Sequence, residues 1–176
     1  MNPKSFARIA TAIGKYWLCK RAPTFINEAQ ECLGGAGYIE ESILPRLYRQ
    51  APLNLIWEGS GNIQCLDVLR ALSREPETGA ALLAELEAAS GLDVIFDAHV
   101  AKLRADLLAG PFEEIGARRL VERLALALQA AVLLASGSPA AGLFIRSRLG
   151  GEHGFAFGTL PTRGDIDGLI VRALPF

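Results

Sequence analysis

The sequence has few residues of the kinds that build disulfide frameworks or metal sites. It contains three cysteines, at positions 19, 32 and 65, and two histidines, at positions 99 and 153. The odd cysteine count and the lack of a CxxC pair argue against a disulfide framework and a zinc site. Neither histidine has a third ligand at metal spacing. We therefore expect free thiols in a reducing, cytoplasmic compartment and no bound metal.

Long hydrophobic runs and an excess of one charge are also missing. No run of about 18 apolar residues occurs, and no apolar segment of a signal peptide follows Met1. The net charge is −1 for the chain, +2 for residues 1–76 and −3 for residues 77–176. We expect no membrane span, and the overall charge gives no case for binding nucleic acid or an anionic membrane.

Apolar residues at helical spacing are abundant, whereas the alternation typical of strands is almost absent. The hydrophobic fraction is 51% and the mean hydropathy is +0.26, which indicates apolar surface for a partner domain or subunit. The predicted fold is all-α: an up-down helical bundle over residues 1–76 with an additional C-terminal helical layer over residues 77–176. Pro76 marks the expected boundary between them.

Proline, glycine and capping residues set the expected helix ends. Pro23 should interrupt a first helix, and a second helix over 24–33 should stop at Gly34-Gly35. Pro52 should end a short helix over 45–50, and Ser60 or Asn62 should cap the helix that follows. Further helices are expected at 77–90, 92–109, 112–135 and 140–149, with a last one running from a cap at Asp165 to Leu174.

The stretch LNLIWEGSGNIQ, residues 53–64, places a carboxylate where it could act as a base. Glu58 follows Ile56 and Trp57, and such apolar neighbours would leave a carboxylate poorly solvated and more basic. Glycines at 59 and 61 would let a flat ligand approach the backbone, and the N-terminus of the next helix favours phosphate. The alternative is an exposed loop glutamate beside a core tryptophan.

Two other motifs have simple structural readings. ECLGGAGY, residues 31–38, ends a helix with three glycines, and no strand precedes it as the dinucleotide-binding fingerprint requires. A glycine C-cap followed by a turn explains it. RRLVER, residues 118–123, is a short basic patch that a solvated helix face explains.

Taken together, the glycine motifs support a family resemblance. The segment EAQECLGGAGYIEESILPRLYRQAPLNLIWEGSGNIQCLDVLRAL, residues 28–72, resembles the C-terminal helical domain of acyl-CoA dehydrogenases, and more narrowly the alkylation-response AidB-like branch. KYWLCKRAP at 15–23 and SRLGGEHGFAFGTLP at 147–161 are similar to the same branch. The likeness extends over nearly the whole chain from about Phe6.

The resemblance implies FAD-dependent α,β-dehydrogenation of an acyl-CoA thioester. In such enzymes a glutamate removes the α-proton while the β-hydrogen leaves as hydride to N5 of FAD. Glu58 occupies the position of that base, with Trp57 and Gly59 on the substrate side. A neighbouring backbone N–H would polarise the thioester carbonyl. The family's cofactor contacts map to Gly34, Gly35, Gly37, Ser60 and Asn62, the three glycines meeting the adenosine diphosphate portion, often from a neighbouring subunit.

The chain also departs from the family pattern. Glu31 stands where many members have glutamine, and Asn62 replaces a longer glutamine. A carboxylate near a pyrophosphate is unfavourable. The family's N-terminal helical domain and β-domain, which carries most flavin-ring contacts, have no counterpart here. We therefore expect the C-terminal part of a longer polypeptide, one that contacts those domains or forms a homo-oligomer. Alone it should neither hold FAD tightly nor oxidise acyl-CoA.

Two alternatives stay open at this level. AidB-like proteins are linked with DNA binding through their C-terminal helices, and such binding needs a dense basic face. The candidate stripe consists of Arg118, Arg119, Arg123, Arg146 and Arg148. The other alternative is a structural module that mediates oligomer contacts without chemistry.

Overall fold

The computed structural model describes residues 2–161 and 166–174. Regular structure in these ranges is helical and includes no strand, so the predicted all-α class is confirmed. The expected cap at Asp165 lies outside the described residues. The α-helices are α1 (Pro3–Cys32), α2 (Gly35–Tyr38), α3 (Leu44–Asn54), α4 (Gly61–Arg74), α5 (Pro76–Glu87), α6 (Val94–Ala109), α7 (Ala117–Ala135), α8 (Ala141–Arg148) and α9 (Ile166–Ala173).

The chain forms two compact units. The N-terminal unit comprises residues 2–79 and 111–122, and the C-terminal unit comprises residues 80–110 together with the described residues from 123 onward. Each of α5 and α7 contributes residues to both units. A domain boundary at residue 76 stays a prediction.

The expectation that Pro23 interrupts the first helix is wrong. α1 runs for 30 residues with Pro23 inside it. An interior proline removes a backbone hydrogen bond and costs about 3 kcal/mol. Tertiary packing offsets that cost, because α1 contacts α2, α3 and α4 and buries Tyr16 before the proline and Gln30 after it. The guanidinium of Arg21 also lies 4.9 Å from the ring centre of Trp17, one turn away.

Two other expected helix ends are also wrong, and one expected connection contains a short helix. α3 continues through Pro52 to Asn54 although the proline has no N–H for the carbonyl of Tyr48, and the burial of Ala51 beside it offsets that loss. α2 is a one-turn helix inside the expected connection. The helix predicted from residue 112 begins at Ala117, after a 3₁₀ turn over Glu114–Gly116. Pro111 restricts the backbone of the residue that precedes it, and the backbone of Glu113 is extended.

The core of the N-terminal unit joins α1 to α4. Ile9, Ile13, Cys65 and Val68 have at most 1% of their surface exposed. A bidentate ion pair supports this packing. The guanidinium of Arg8 donates to both carboxylate oxygens of Asp67, at 2.7 and 2.9 Å. The register of α1 along α4 is thereby fixed by both apolar and charged contacts.

The core of the C-terminal unit is aliphatic with one central aromatic ring. Its largest fully buried side chains are Leu82, Leu86, Phe96, Leu103, Leu124 and Ile145. Asp93 caps α6, because its carboxylate accepts from the backbone N–H groups of Ile95 and Phe96 at 2.8 and 3.0 Å.

The glycine motif folds the chain back onto the end of α1. Gly34 has φ 58°, which reverses the chain direction between α1 and α2. Gly37 is buried, and its carbonyl accepts a hydrogen bond of 3.1 Å from the Gln30 side chain. A Cβ at position 37 would lie 2.2 Å from the Gln30 carbonyl oxygen, so only glycine permits this contact.

Replacing Gly37 with alanine should destabilise the chain, because the new methyl group meets backbone that cannot move aside cheaply. We expect Gly37→Ala to lower the free energy of unfolding by about 1–3 kcal/mol in a urea titration. Gly35→Ala is the matched control, since a Cβ there has no atom within 4 Å. Equal midpoints for the two variants would contradict the packing described here.

His99 should make the C-terminal unit less stable as the pH falls. Burial lowers the pKa of this imidazole, whose Nε2 lies 3.3 Å from the carbonyl oxygen of Arg123. Below its ordinary pKa of about 6.5 the unfolded chain binds the proton more readily than the folded chain, so the free energy of unfolding drops. Urea titrations at pH 7.5 and 5.5 should show a larger loss for the wild type than for His99→Gln. The same loss in both would contradict this assignment.

Candidate functional site

Glu58 lies in a tight loop between two helices. We call residues 55–60 the Glu58 loop. Directly after α3, the backbone N–H groups of Ile56 and Trp57 both donate to the Leu53 carbonyl, at 2.9 and 3.1 Å. α4 starts at Gly61 directly after it. The loop is therefore short, and the two helices at its ends fix the positions of its residues.

The backbone at Glu58 is in the left-handed region. Its φ is 52°, and among the described residues it is the one non-glycine with positive φ. Gly59 follows with φ 99°. This conformation costs a non-glycine residue roughly 1–2 kcal/mol, and residues in it are concentrated at functional sites. The surrounding contacts must supply that energy.

Two side chains from outside the loop hold its backbone. The ammonium group of Lys15, on α1, donates to the carbonyls of Asn54 and Trp57, the latter at 3.2 Å. The side-chain amide of Gln64, on α4, donates to the carbonyls of Glu58 and Gly59 at 2.9 and 3.4 Å. Sequence analysis missed both residues, because each acts through backbone atoms and belongs to no motif.

Of the two residues predicted to cap α4, Ser60 is confirmed as the N-cap residue, and Asn62 lies inside the helix. Ser60 holds the N-cap position, but its hydroxyl makes no capping hydrogen bond. The side-chain oxygen of Asn62 instead accepts from Nε of Arg118 at 3.0 Å. Gly61 lies above the buried ring of Tyr16, where a Cβ would be 3.4 Å from that ring. The start of α4 therefore lies close to the core of the N-terminal unit.

Among the described residues, none provides the shielding that was expected around Glu58. Glu58 is exposed, and its apolar neighbours Ile56 and Trp57 are 68% and 53% exposed. The earlier prediction that these neighbours dry the carboxylate is therefore wrong for this chain by itself. They form instead an apolar surface next to an accessible carboxylate.

The glycine motif borders a cavity of about 480 Å³ in the N-terminal unit. Gly34 and Gly35 are exposed, and so is Glu31, the departure from the family pattern. Arg49 in the cavity wall pairs with Glu40. The residues lining the cavity are Gln30, Tyr38, Ile39, Glu40, Pro45, Tyr48 and Arg49. An aromatic and partly charged wall of this kind suits a flat polar ligand.

The two candidate sets occupy opposite ends of α3. Glu58, Gly59 and Ser60 share the Glu58 loop with Trp57, and Asn62 lies in the first turn of α4. Gly34, Gly35 and Gly37 precede α3, whose 11 residues span about 16 Å. The structure thus brings the base candidate together with Trp57, Gly59, Ser60 and Asn62, but places the glycine motif apart from them.

Other catalytic groups have little support. Burial raises the pKa of the Cys65 thiol to about 11, so it is a core residue and not a nucleophile. Cys19, Cys32 and Cys65 are all free thiols. Within the described ranges, no group of three or more His, Cys, Asp or Glu side chains could hold a metal ion. No helix in the same ranges is both long and apolar enough to cross a bilayer.

Comparison with known proteins identifies the N-terminal part of the chain. Residues 1–73 match the family model described as "Acyl-CoA dehydrogenase, C-terminal domain". This range contains the glycine motif, the Glu58 loop, Lys15 and Gln64. It ends one residue before the last residue of α4.

Two curated proteins are similar to the chain. "Putative acyl-CoA dehydrogenase AidB" of Escherichia coli (strain K12) is 46% identical over 134 residues, which is 76% of this chain and 24% of that protein. "Acyl-CoA dehydrogenase family member 11" of Caenorhabditis elegans is 44% identical over 66 residues, or 38% of this chain and 11% of that protein. The chain thus spans at most about a quarter of the length of these relatives.

A solved structure is similar to the chain as well. The apo form of Bd2924 matches with a TM-score of 0.61 and 30% identity, covering 74% of this chain and 25% of that one. The match to this structure and to AidB extends beyond residue 73. The chain therefore belongs to the acyl-CoA dehydrogenase family, whose C-terminal domain it carries at residues 1–73, and it resembles AidB along most of its length.

Proposed function

We propose that this chain supplies the general base of an FAD-dependent acyl-CoA dehydrogenase-type reaction, with Glu58 as that base. The observation that carries the proposal is the left-handed backbone of Glu58, held by Lys15 and Gln64 within the segment that matches the family domain. A strained loop with dedicated support is expected where a side chain must be aimed.

Removal of the α-proton requires a carboxylate that loses its contact with water when substrate binds. The α-proton of a thioester is weakly acidic, and a base works best close to it and away from water. Ile56 and Trp57 provide an exposed apolar surface beside Glu58 that a partner domain or subunit would cover. Covering it would desolvate the carboxylate and make it more basic.

The adenine-side contacts of FAD are proposed for the other end of α3. When bound, FAD would accept the β-hydrogen as hydride. Gly34, Gly35 and Gly37 precede Tyr38, which lines the cavity together with Tyr48 and Arg49. The two tyrosines offer stacking, and Arg49 offers a partner for an anionic group. Ser60 and Asn62 are proposed to contact the cofactor nearer the base. Within this cavity Glu40 already neutralises Arg49, so the cavity alone should bind the diphosphate weakly.

An oligomer or a partner domain fits the exposed surface of the N-terminal unit. Leu18, Phe25 and Leu33 on and after α1 are each more than half exposed. Apolar side chains exposed along one helix favour coverage by another chain or domain. In such an oligomer, the glycine motif of one subunit could contact the FAD on which the base of another subunit acts.

DNA protection is the weaker alternative. Two arginines of the candidate stripe already have acceptors within the chain: Arg118 donates to Asn62, and Arg123 pairs with Asp106. The Asn62 contact occupies one donor of Arg118, the Asp106 carboxylate lowers the positive potential at Arg123, and residues 77–176 carry a net charge of −3. The dehydrogenase proposal is therefore favoured.

The isolated chain should not retain flavin. We expect the purified chain, mixed with FAD and passed through a gel-filtration column, to show no absorbance near 450 nm. The physical reason is that the proposed contacts lie on the adenine side of FAD and at Ser60 and Asn62, so most of the flavin ring has no proposed contact within this chain. A stoichiometric flavin band eluting with the protein would contradict this division of the site.

Removing the proposed base should abolish turnover without affecting cofactor content. The test uses a chimera in which residues 1–73 replace the matching segment of the AidB relative, assayed with a series of acyl-CoA thioesters and an artificial electron acceptor. Glu58→Gln should lower kcat by about 10²- to 10⁴-fold. Glu41→Gln is the matched control, because Glu41 is also exposed but lies outside both the Glu58 loop and the glycine motif. Unchanged kcat in Glu58→Gln would refute the proposal.

A further inference from the structure

We propose that Lys15 and Gln64 are positioning residues that hold Glu58 in its left-handed conformation and so aim its carboxylate. This inference rests on the proposed role of Glu58 as base. Neither residue needs to touch substrate or cofactor, since both act through the carbonyl groups of the loop.

Lys15 satisfies the end of α3. The last carbonyls of a helix have no partner inside the helix, and a cation is favourable there because of the helix dipole. The Lys15 ammonium reaches from α1 to the carbonyl of Asn54, the last residue of α3, and to that of Trp57, at 3.2 Å. It therefore connects the end of the helix to the residue immediately before Glu58.

Gln64 fixes the other side of the loop. Its side-chain amide donates to the carbonyl of Glu58 at 2.9 Å and to that of Gly59 at 3.4 Å. An amide has two N–H donors, which matches these two acceptors. A Cβ on residue 59 would lie 2.6 Å from Nε2 of Gln64, so the missing side chain of Gly59 makes room for the contact.

Together the two side chains bond the carbonyls on both sides of Glu58 and that of Glu58 itself. The acceptors are Asn54, Trp57, Glu58 and Gly59. None of these bonds uses the Glu58 carboxylate. The backbone is thus fixed without engaging the group that the proposed reaction needs. Lys15 and Gln64 also lie on different helices, so the loop is held between α1 and α4.

The first test measures loop order in the full chain by ¹⁵N relaxation NMR. Lys15→Met and Gln64→Met keep the approximate length of each side chain but remove its donors. We expect the heteronuclear NOE of backbone amides 56–59 to fall in both variants, with helix α6 unchanged. Lys15→Arg, which keeps a cationic donor, should restore most of the order. Rigid loop amides in both methionine variants would overturn the inference.

Matched controls separate a local effect from general destabilisation. Lys20→Met lies on α1 and Gln50→Met on α3, and both positions are exposed. These controls should leave amides 56–59 as rigid as in the wild type. If Gln64→Met fails to fold by circular dichroism, Gln64→Asn, which shortens the reach by one methylene group, provides the same test. If Lys15→Met fails to fold, Lys15→Gln, which is shorter and uncharged, takes its place.

The second test asks whether the order matters for turnover in the chimera. Lys15→Met and Gln64→Met should lower kcat by roughly 10- to 100-fold, as expected when a reacting group is misplaced, while KM changes less than threefold. A loosened loop with unchanged kcat would overturn the positioning role. Unchanged kcat in Glu58→Gln would instead refute the base itself, so the two failures can be told apart.

Discussion

The carbonyl groups at the end of α3 and in the Glu58 loop after it need hydrogen-bond donors, and the site depends on how that need is met. A helix that ends in a tight turn leaves acceptors that water or side chains must satisfy. Here Lys15 comes from α1 and Gln64 from α4. The same two helices form the core of the N-terminal unit, so the packing that stabilises the fold also places the loop.

This arrangement explains why the site needs a long, continuous α1. Near its middle α1 supplies Lys15 to the Glu58 loop and the Tyr16 ring beneath Gly61, and near its end it supplies Gln30 to the glycine motif. A break at Pro23 would uncouple these two ends. The cost of an interior proline is small beside the loss of contacts to three other helices. α1 therefore sets the separation between the proposed base and the proposed adenine-side contacts.

Local patterns in the sequence were sufficient for part of this account. Apolar spacing predicted the all-α class. The position of Glu58 between an apolar run and two glycines made a base one of two possible readings of the loop, and the family resemblance favoured its role as the base. Local patterns could not reveal the support of the loop, because Lys15 lies 39 residues from Asn54 and long-range pairing leaves no periodic signal. The burial of Glu58 was mispredicted for a related reason. Sequence neighbours are not spatial neighbours, and Ile56 and Trp57 point to solvent in this chain.

The sign of φ at Glu58 in solution tests the central claim most directly. Residual dipolar couplings and cross-correlated relaxation of the purified chain, measured on residues 57–59, distinguish left-handed from right-handed backbone. The account predicts a positive φ near the 52° of the structure, with a single narrow population. A negative φ, or averaging between the two regions, would mean that Lys15 and Gln64 do not fix the loop and that the carboxylate is not aimed by the fold.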